Sequence, residues 1–106
     1  MVARFDIFLV SLDSDMTSGA KDTRPAVVIS PDELNRHLST VIIAPVATSV
    51  AMYPTRISVS ILNADRLVVL DQMRCIDKAR LVKKIGEVEE SSRDKISDRI
   101  TEMFAK

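Results

Sequence analysis

The apolar positions of this chain fall in short runs, and the spacing inside each run predicts its element. Phe5 to Leu12 is dominated by Phe, Ile, Leu and Val with no helix-period stripe, which reads as a strand. Pro25 to Ser30 (PAVVIS) is a continuous apolar run, the pattern of a strand buried on both faces, and Thr40 to Val46 (TVIIAPV) is a second apolar strand. Pro45 has no N–H to give to a ladder, so it marks the second run as an edge strand or as the point where the chain leaves the sheet. Arg56 to Ile61 instead alternates Ile57, Val59 and Ile61 with Arg56, Ser58 and Ser60, as a strand with one wet face does. Asn63-Ala64-Asp65 turns the chain into a strand at Leu67 to Leu70, with Asp71 to Ile76 expected as its continuation past a bulge. Leu81 to Val88 reads as a last short strand.

Two helices interrupt the strands. Ser30-Pro31-Asp32-Glu33 offers Ser as N-cap, Pro at the first helical position and Glu at the third, a capping box that opens a short helix to about Leu38. From Ser91 or Ser92 as N-cap, Ile96, Ile100, Met103 and Phe104 recur at helical spacing, the stripe of an amphipathic helix packed on the sheet. Asp13 to Thr23 is polar and expected to be an exposed, mobile loop. The resulting fold class is mainly β with appended helices, an antiparallel-rich, barrel-like sheet closed by a C-terminal amphipathic helix.

Composition narrows the class of function. A length of 106 residues suits a single domain over 1–106, and 46% hydrophobic with 28% charged residues predicts a packed core. Fifteen basic residues balance fifteen acidic ones, so a polyanion could be held only by a local patch. The positive concentration lies in Arg74 to Lys84, where Arg74, Lys78, Arg80, Lys83 and Lys84 outnumber Asp77. Its plainer reading is a solvated strand and turn. The lone Cys75 excludes an intramolecular disulfide and favours a reducing compartment. Asp6 breaks any signal-peptide core and no apolar run nears the ~20 residues of a spanning helix, so a cytoplasmic protein with no membrane partner is expected.

His37 and Cys75 are the only residues of their kinds, so one chain cannot assemble a zinc site of Cys and His, and no metal or cofactor is expected. His37 sits on the short polar helix, a poor place for a catalytic triad, and Gly19 and Gly86 are too far apart for a phosphate loop. What stands out is polar and at strand ends. Arg24 precedes a buried strand, and Thr48 and Ser49 follow another. Arg24 is either an ion-pair partner for Asp22 or Asp71 or a planar, bidentate ligand for phosphate oxygens. Thr48 and Ser49 are either turn residues or short hydroxyl donors beside it. Tyr53, in Ala51-Met52-Tyr53-Pro54, could stack on a base or pack on the sheet.

Taken together, the segments resemble the MazF/PemK family of toxins from bacterial toxin-antitoxin pairs across almost the whole chain. The resemblance is carried by Phe5-Asp6-Ile7 and the Leu-Val-Ser-Leu-Asp stretch after it, by Thr23-Arg24-Pro25-Ala26-Val27-Val28-Ile29-Ser30, by the helix start from Asp32 to Asn35, and by Thr40-Val41-Ile42-Ile43-Ala44-Pro45. Val69-Leu70-Asp71-Gln72, Ile76-Asp77-Lys78, Arg80-Leu81 and Ile85-Gly86 follow in the same order. Two departures are visible: Ala3 stands where Gly is usual, and Val69 stands where some members carry an Arg two residues before the Asp-Gln pair.

The resemblance implies an SH3-like small barrel, a homodimer, and a metal-independent endoribonuclease that cuts single-stranded RNA at short sequence motifs, with no cofactor. It implies attack of a ribose 2′-hydroxyl on the adjacent phosphorus, giving a 2′,3′-cyclic phosphate and a free 5′-hydroxyl, chemistry closed to DNA. By position it assigns catalysis to Arg24, Thr48 and Asp71, and RNA contact to Ser49, Thr17, Tyr53, Arg56 and Gln72. The plainer role of Asp71 is to orient a neighbouring backbone or Arg24. A cognate MazE/PemI-like antitoxin would lay an acidic segment along the RNA groove. The apolar strands at Thr40 and Leu67 also suggest a face that a second copy would cover. The rival reading from another class is a non-catalytic toxin of the same fold, like the CcdB group that binds DNA gyrase; a third is an inactive decoy for the antitoxin.

Overall fold

A computed structural model describes residues 1–11, 23–48 and 51–105. The polar loop expected at Asp13 to Thr23 lies outside the described residues except for Thr23, as do Thr17 and Ser49. The elements run β1 (Asp6–Ser11), β2 (Thr23–Val28), α1 (Asp32–His37), β3 (Thr40–Ala47), β4 (Arg56–Ile61), β5 (Ala64–Val69), β6 (Arg74–Asp77), β7 (Leu81–Glu87) and α2 (Glu90–Phe104). All described pairings are antiparallel. β7, β1, β2, β3 and β6 form one curled sheet, and the β4–β5 hairpin joins it through β3.

The two apolar patterns in the sequence sort into two cores. On one face of the sheet, Val10, Ala26, Val28, Val41, Ile43 and Ile76 pack together, with Phe8 and Leu81 against them. The alternate residues Ile7, Val27 and Ala44 point to the other face and meet Ile57, Val59 and Ile61 of β4, Val68 of β5 and Ile96 of α2. Strands that face both cores must be apolar at every position, whereas β4 faces only one and leaves Ser58 and Ser60 exposed. Ile96 is fully buried and alone removes enough apolar surface to contribute about 1.5–3 kcal/mol.

Several expectations are corrected. β3 is central, not an edge: it pairs with β2 over Ile43 to Pro45, with β6 over Thr40 to Ile43, and with β5 at Val46 and Ala47. Pro45 falls between the stretches paired to β6 and β5, where a missing N–H costs least. Ser30 does not cap α1. Its hydroxyl donates to Asn35 Oδ1 (2.5 Å) and accepts from the Ile42 N–H (3.1 Å), while Asn35 Nδ2 returns to the Ser30 carbonyl (2.9 Å), so Pro31 stands at the cap without a side-chain bond. A buried polar latch between α1 and β3 has taken the hydroxyl that a capping box would use.

The cap of α2 is Glu89, not Ser91 or Ser92; Ser92 is buried and donates to Glu89 Oε1 at 2.9 Å. The same oxygen accepts the Ser60 N–H at 3.2 Å, and these bonds hold the Glu89 carboxyl below its usual range. In the stripe of α2, Ile96, Ile100 and Met103 pack on the core but Phe104 is 71% exposed. Leu70 to Gln72 is a single 3-10 turn that breaks the strand and redirects the chain into β6, now beside β3. In the strands at Thr40 and Leu67, Val41, Ile43 and Val68 are buried within the chain at 1% exposure or less, whereas Ile42 and Leu67 are only half-buried.

Leu62 and Asn63 close the β4–β5 hairpin with φ values of 50° and 64°, the two-residue turn that wants Asn or Gly at its first position. Leu62 is 72% exposed and gains little burial for its left-handed backbone. Leu62→Asn is therefore expected to raise stability by about 0.5–1 kcal/mol, read as a higher urea midpoint at unchanged slope; a lower midpoint contradicts the strain argument.

Candidate nucleic-acid interface

The start of β2 and the end of β3 lie at the same end of an antiparallel pair, so Arg24 and Thr48 occupy one rim of the sheet. Both are exposed. The described hydrogen bond of the Arg24 side chain is a long one, Nη1 to the Thr23 carbonyl at 3.5 Å, and no carboxylate among the described residues pairs with it. Asp71, one of its two expected ion-pair partners, is engaged elsewhere.

That engagement is a polar cluster around the start of β4. Arg56 begins β4 and stands directly across from Val69, which carries the chain into the turn holding Asp71. From there Arg56 Nε donates to Asp71 Oδ1 and Nη2 to Oδ2, each at 3.3 Å, and Nη1 donates to the Ala51 carbonyl at 2.7 Å. Thr55 Oγ1 donates to Asp71 Oδ1 at 2.9 Å, and the guanidinium lies 4.8 Å from the centre of the Tyr53 ring. The Arg56 guanidinium and then the Thr55 hydroxyl hold the Asp71 carboxyl below its usual range. It is a carboxylate at neutral pH, an acceptor and not a proton donor.

The structure thus gathers Tyr53, Arg56 and Asp71, with Gln72 exposed beside Asp71, and sets Arg24 and Thr48 apart from them. Val68 lies opposite Val46 and Leu67 opposite Ala47, so β5 runs back from the Thr48 end and carries Asp71 along β3 away from it. Thr55 and the Ala51 carbonyl are participants that sequence reasoning missed. Nothing in a lone Thr marks it as a carboxylate partner 16 positions away.

Three of the five cations in the run from Arg74 to Lys84 are tied into the fold, while Arg74 and Lys83 are exposed. Lys78 Nζ donates to the Asn35 carbonyl, Arg80 Nη1 to the Ser11 carbonyl at 3.2 Å, and Lys84 Nζ pairs with buried Asp6 at 3.1 Å and with Glu87 at 3.3 Å. These cations close the sheet onto its neighbours. Among the described residues no cluster of His, Cys, Asp and Glu could hold a metal ion, and no helix is long and apolar enough to cross a membrane.

Residues 3–104 match the family described as PemK-like, MazF-like toxin of type II toxin-antitoxin system. The chain belongs to this MazF/PemK toxin family. It is 32% identical over 97 residues to the Endoribonuclease MazF of Staphylococcus epidermidis, covering 86% of this chain and 81% of that one. It is 30% identical over 104 residues to the Endoribonuclease EndoA of Bacillus subtilis, covering 92% and 90%. Among solved structures it resembles the Mycobacterium tuberculosis toxin MazF-mt6 (TM-score 0.77, 24% identity, 93% of this chain and 95% of that chain). It also resembles the MazE-MazF complex of Deinococcus radiodurans (TM-score 0.77, 18% identity, 98% and 95%). The curled antiparallel sheet with its C-terminal helix is the fold of MazF.

The lowered pKa of Asp71 carries a pH dependence. A depressed folded-state value stabilises the protein above the unfolded value of 3.8, and that contribution is lost as pH falls through the still lower folded value. The difference in thermal midpoint between the wild type and Asp71→Asn should stay constant from about pH 5 to 8 and shrink toward zero below about pH 3.8. For a pair this exposed the contribution belongs to the range of about 0.2–1 kcal/mol. A difference that grows in acid would reverse the sign of the assignment.

Proposed function

We propose that the chain is the toxin of a type II toxin-antitoxin pair that acts in the cytoplasm as a sequence-specific, metal-independent endoribonuclease on single-stranded RNA. Family membership and the named activities of its relatives support the class of reaction. The observation that carries the site is the state of Arg24: an exposed guanidinium at the sheet rim, beside Thr48, with no carboxylate partner among the described residues. An Arg held by an acid is already neutralised; one left open has its planar donors available for a phosphate.

In this reading the ribose 2′-oxygen attacks phosphorus, the bond to the 5′-oxygen breaks, and the products are a 2′,3′-cyclic phosphate and a 5′-hydroxyl. Arg24 stabilises the charge that develops on the non-bridging oxygens, and Thr48 donates a hydrogen bond to the same phosphate, with Ser49 assisting. Asp71, held as a carboxylate by Arg56 and Thr55, fixes the Tyr53–Arg56 wall and leaves Gln72 presented to the strand. Thr17 would contact RNA from the loop after β1. The active unit is a homodimer of two-fold symmetry, inhibited by a cognate MazE/PemI-like antitoxin whose acidic segment competes for Arg24.

Arg24→Ala should lower the cleavage rate by about 100- to 1000-fold with the thermal midpoint unchanged, the usual effect of removing one donor to transition-state charge. Thr48→Ala should lose less, about 10- to 100-fold, because a neutral hydrogen bond is weaker than a charged one. Wild-type rates in Arg24→Ala would remove Arg24 from the site. Cleavage should also persist in EDTA, leave a cyclic phosphate by end-group analysis, and stop when the nucleotide 5′ to the cut is 2′-deoxy. Strict magnesium dependence would refute the mechanism.

A further inference from the structure

A groove of about 370 Å³ opens between the segment after β3, the start of β4 and α2. Met52, Tyr53, Pro54 and Ile57 supply its apolar surface, and Arg56, Lys95 and Arg99 its charge; no acidic side chain is among those lining it. In a chain with no net charge this is a local positive field, and Lys95 and Arg99, four residues apart on α2, face the same way. Arg56 is committed to Asp71 and Ala51, which leaves Lys95, whose charge is felt by the Glu89 carboxyl without a direct ion pair, and Arg99 as the cations turned to the groove. Arg99 meets Glu102 only through a 3.7 Å contact on the helix surface, the weak kind. The Tyr53 ring is 57% exposed and is backed by the Arg56 guanidinium, so it is a flat platform held in place by its neighbour.

We propose that this groove is a binding site for the RNA strand flanking the cut, with a base stacked on Tyr53 beside Met52 and the strand's phosphates met by Lys95 and Arg99. The inference deepens the endoribonuclease reading and rests on it. A groove whose own lining carries cations and no carboxylate favours a polyanion, and a pinned aromatic plane suits any nucleobase irrespective of sequence. Tyr53 is five residues beyond Thr48, at most about 18 Å of chain, so a strand held at Thr48 has the groove within reach. Contacts of this type add affinity without reading the cut sequence.

The test uses the full chain and a fluorescent 2′-O-methyl RNA of about 20 nucleotides and mixed sequence, which cannot be cut because the attacking hydroxyl is blocked, titrated at several salt concentrations. Replacing both Lys95 and Arg99 with Gln should flatten the slope of log affinity against log salt by about 1.4, the loss of two phosphate contacts on a single strand. Tyr53→Ala should weaken binding about 5- to 100-fold, while Tyr53→Phe, which keeps the ring, binds as the wild type does. An unchanged slope and affinity overturn the proposal. So does a double variant that keeps its RNA slope but loses affinity for an acidic antitoxin peptide, which would give the groove to a protein partner. The enzyme reading fails separately, by uncut all-ribose RNA, and that result leaves the slope measurement standing.

Discussion

Burial of β3 on both faces is the constraint on which the rest of the molecule hangs. Val41 and Ile43 belong to one core of the curled sheet, and Ala44 to the other, with the hairpin and α2. A strand so placed must find backbone partners along both edges, and β3 does so by taking β2 on one side and dividing the other between β6 and β5. The division falls at Pro45, so a residue that would weaken an ordinary central strand here coincides with a change of partner. Because β3 orders both layers, its C-terminal end and the start of β2 form a rigid rim, and Arg24 and Thr48 inherit their positions from it.

Two arginines illustrate how surroundings divide labour between identical side chains. Arg56 spends its donors on Asp71 and the Ala51 carbonyl and lays its plane against Tyr53, which makes it part of a wall. Arg24 has no such acid among the described residues. The departure at position 69, Val where some relatives carry Arg, reads differently in this light. The residue directly across from Val69 is Arg56, so a guanidinium reaches Asp71 from the neighbouring strand.

Polar side chains that look like local punctuation are repeatedly drawn into tertiary contacts. Ser30 and Asn35 lock α1 to β3, Glu89 joins the start of α2 to the edge of β4, and Lys84 reaches buried Asp6 between β1 and β7. Each has a local alternative of lower value, since a bond formed out of water inside the fold leaves no buried group unsatisfied. Lys78, Arg80 and Lys84 of the basic run are absorbed in the same way.

Periodicity and composition by themselves determined a great deal: the strand at Arg56 to Ile61 to the residue, the double-faced strand at Pro25, the apolar strand at Thr40, the apolar stripe through Ile96, and a mainly β fold with helices appended. Those features follow from which side chains avoid water at which spacing, a property of neighbours in sequence. The motifs around Arg24, Thr48 and Asp71 likewise carried the family. What only the tertiary structure decided is who partners whom: that β3 is central despite Pro45, that Ser30 latches a helix it was expected to cap, that Phe104 is left in solvent, and that Asp71 belongs to Arg56 and Thr55 and not to Arg24. Partnership depends on strand register and on the curl of the sheet, which bring together residues tens of positions apart, and no local pattern encodes that distance.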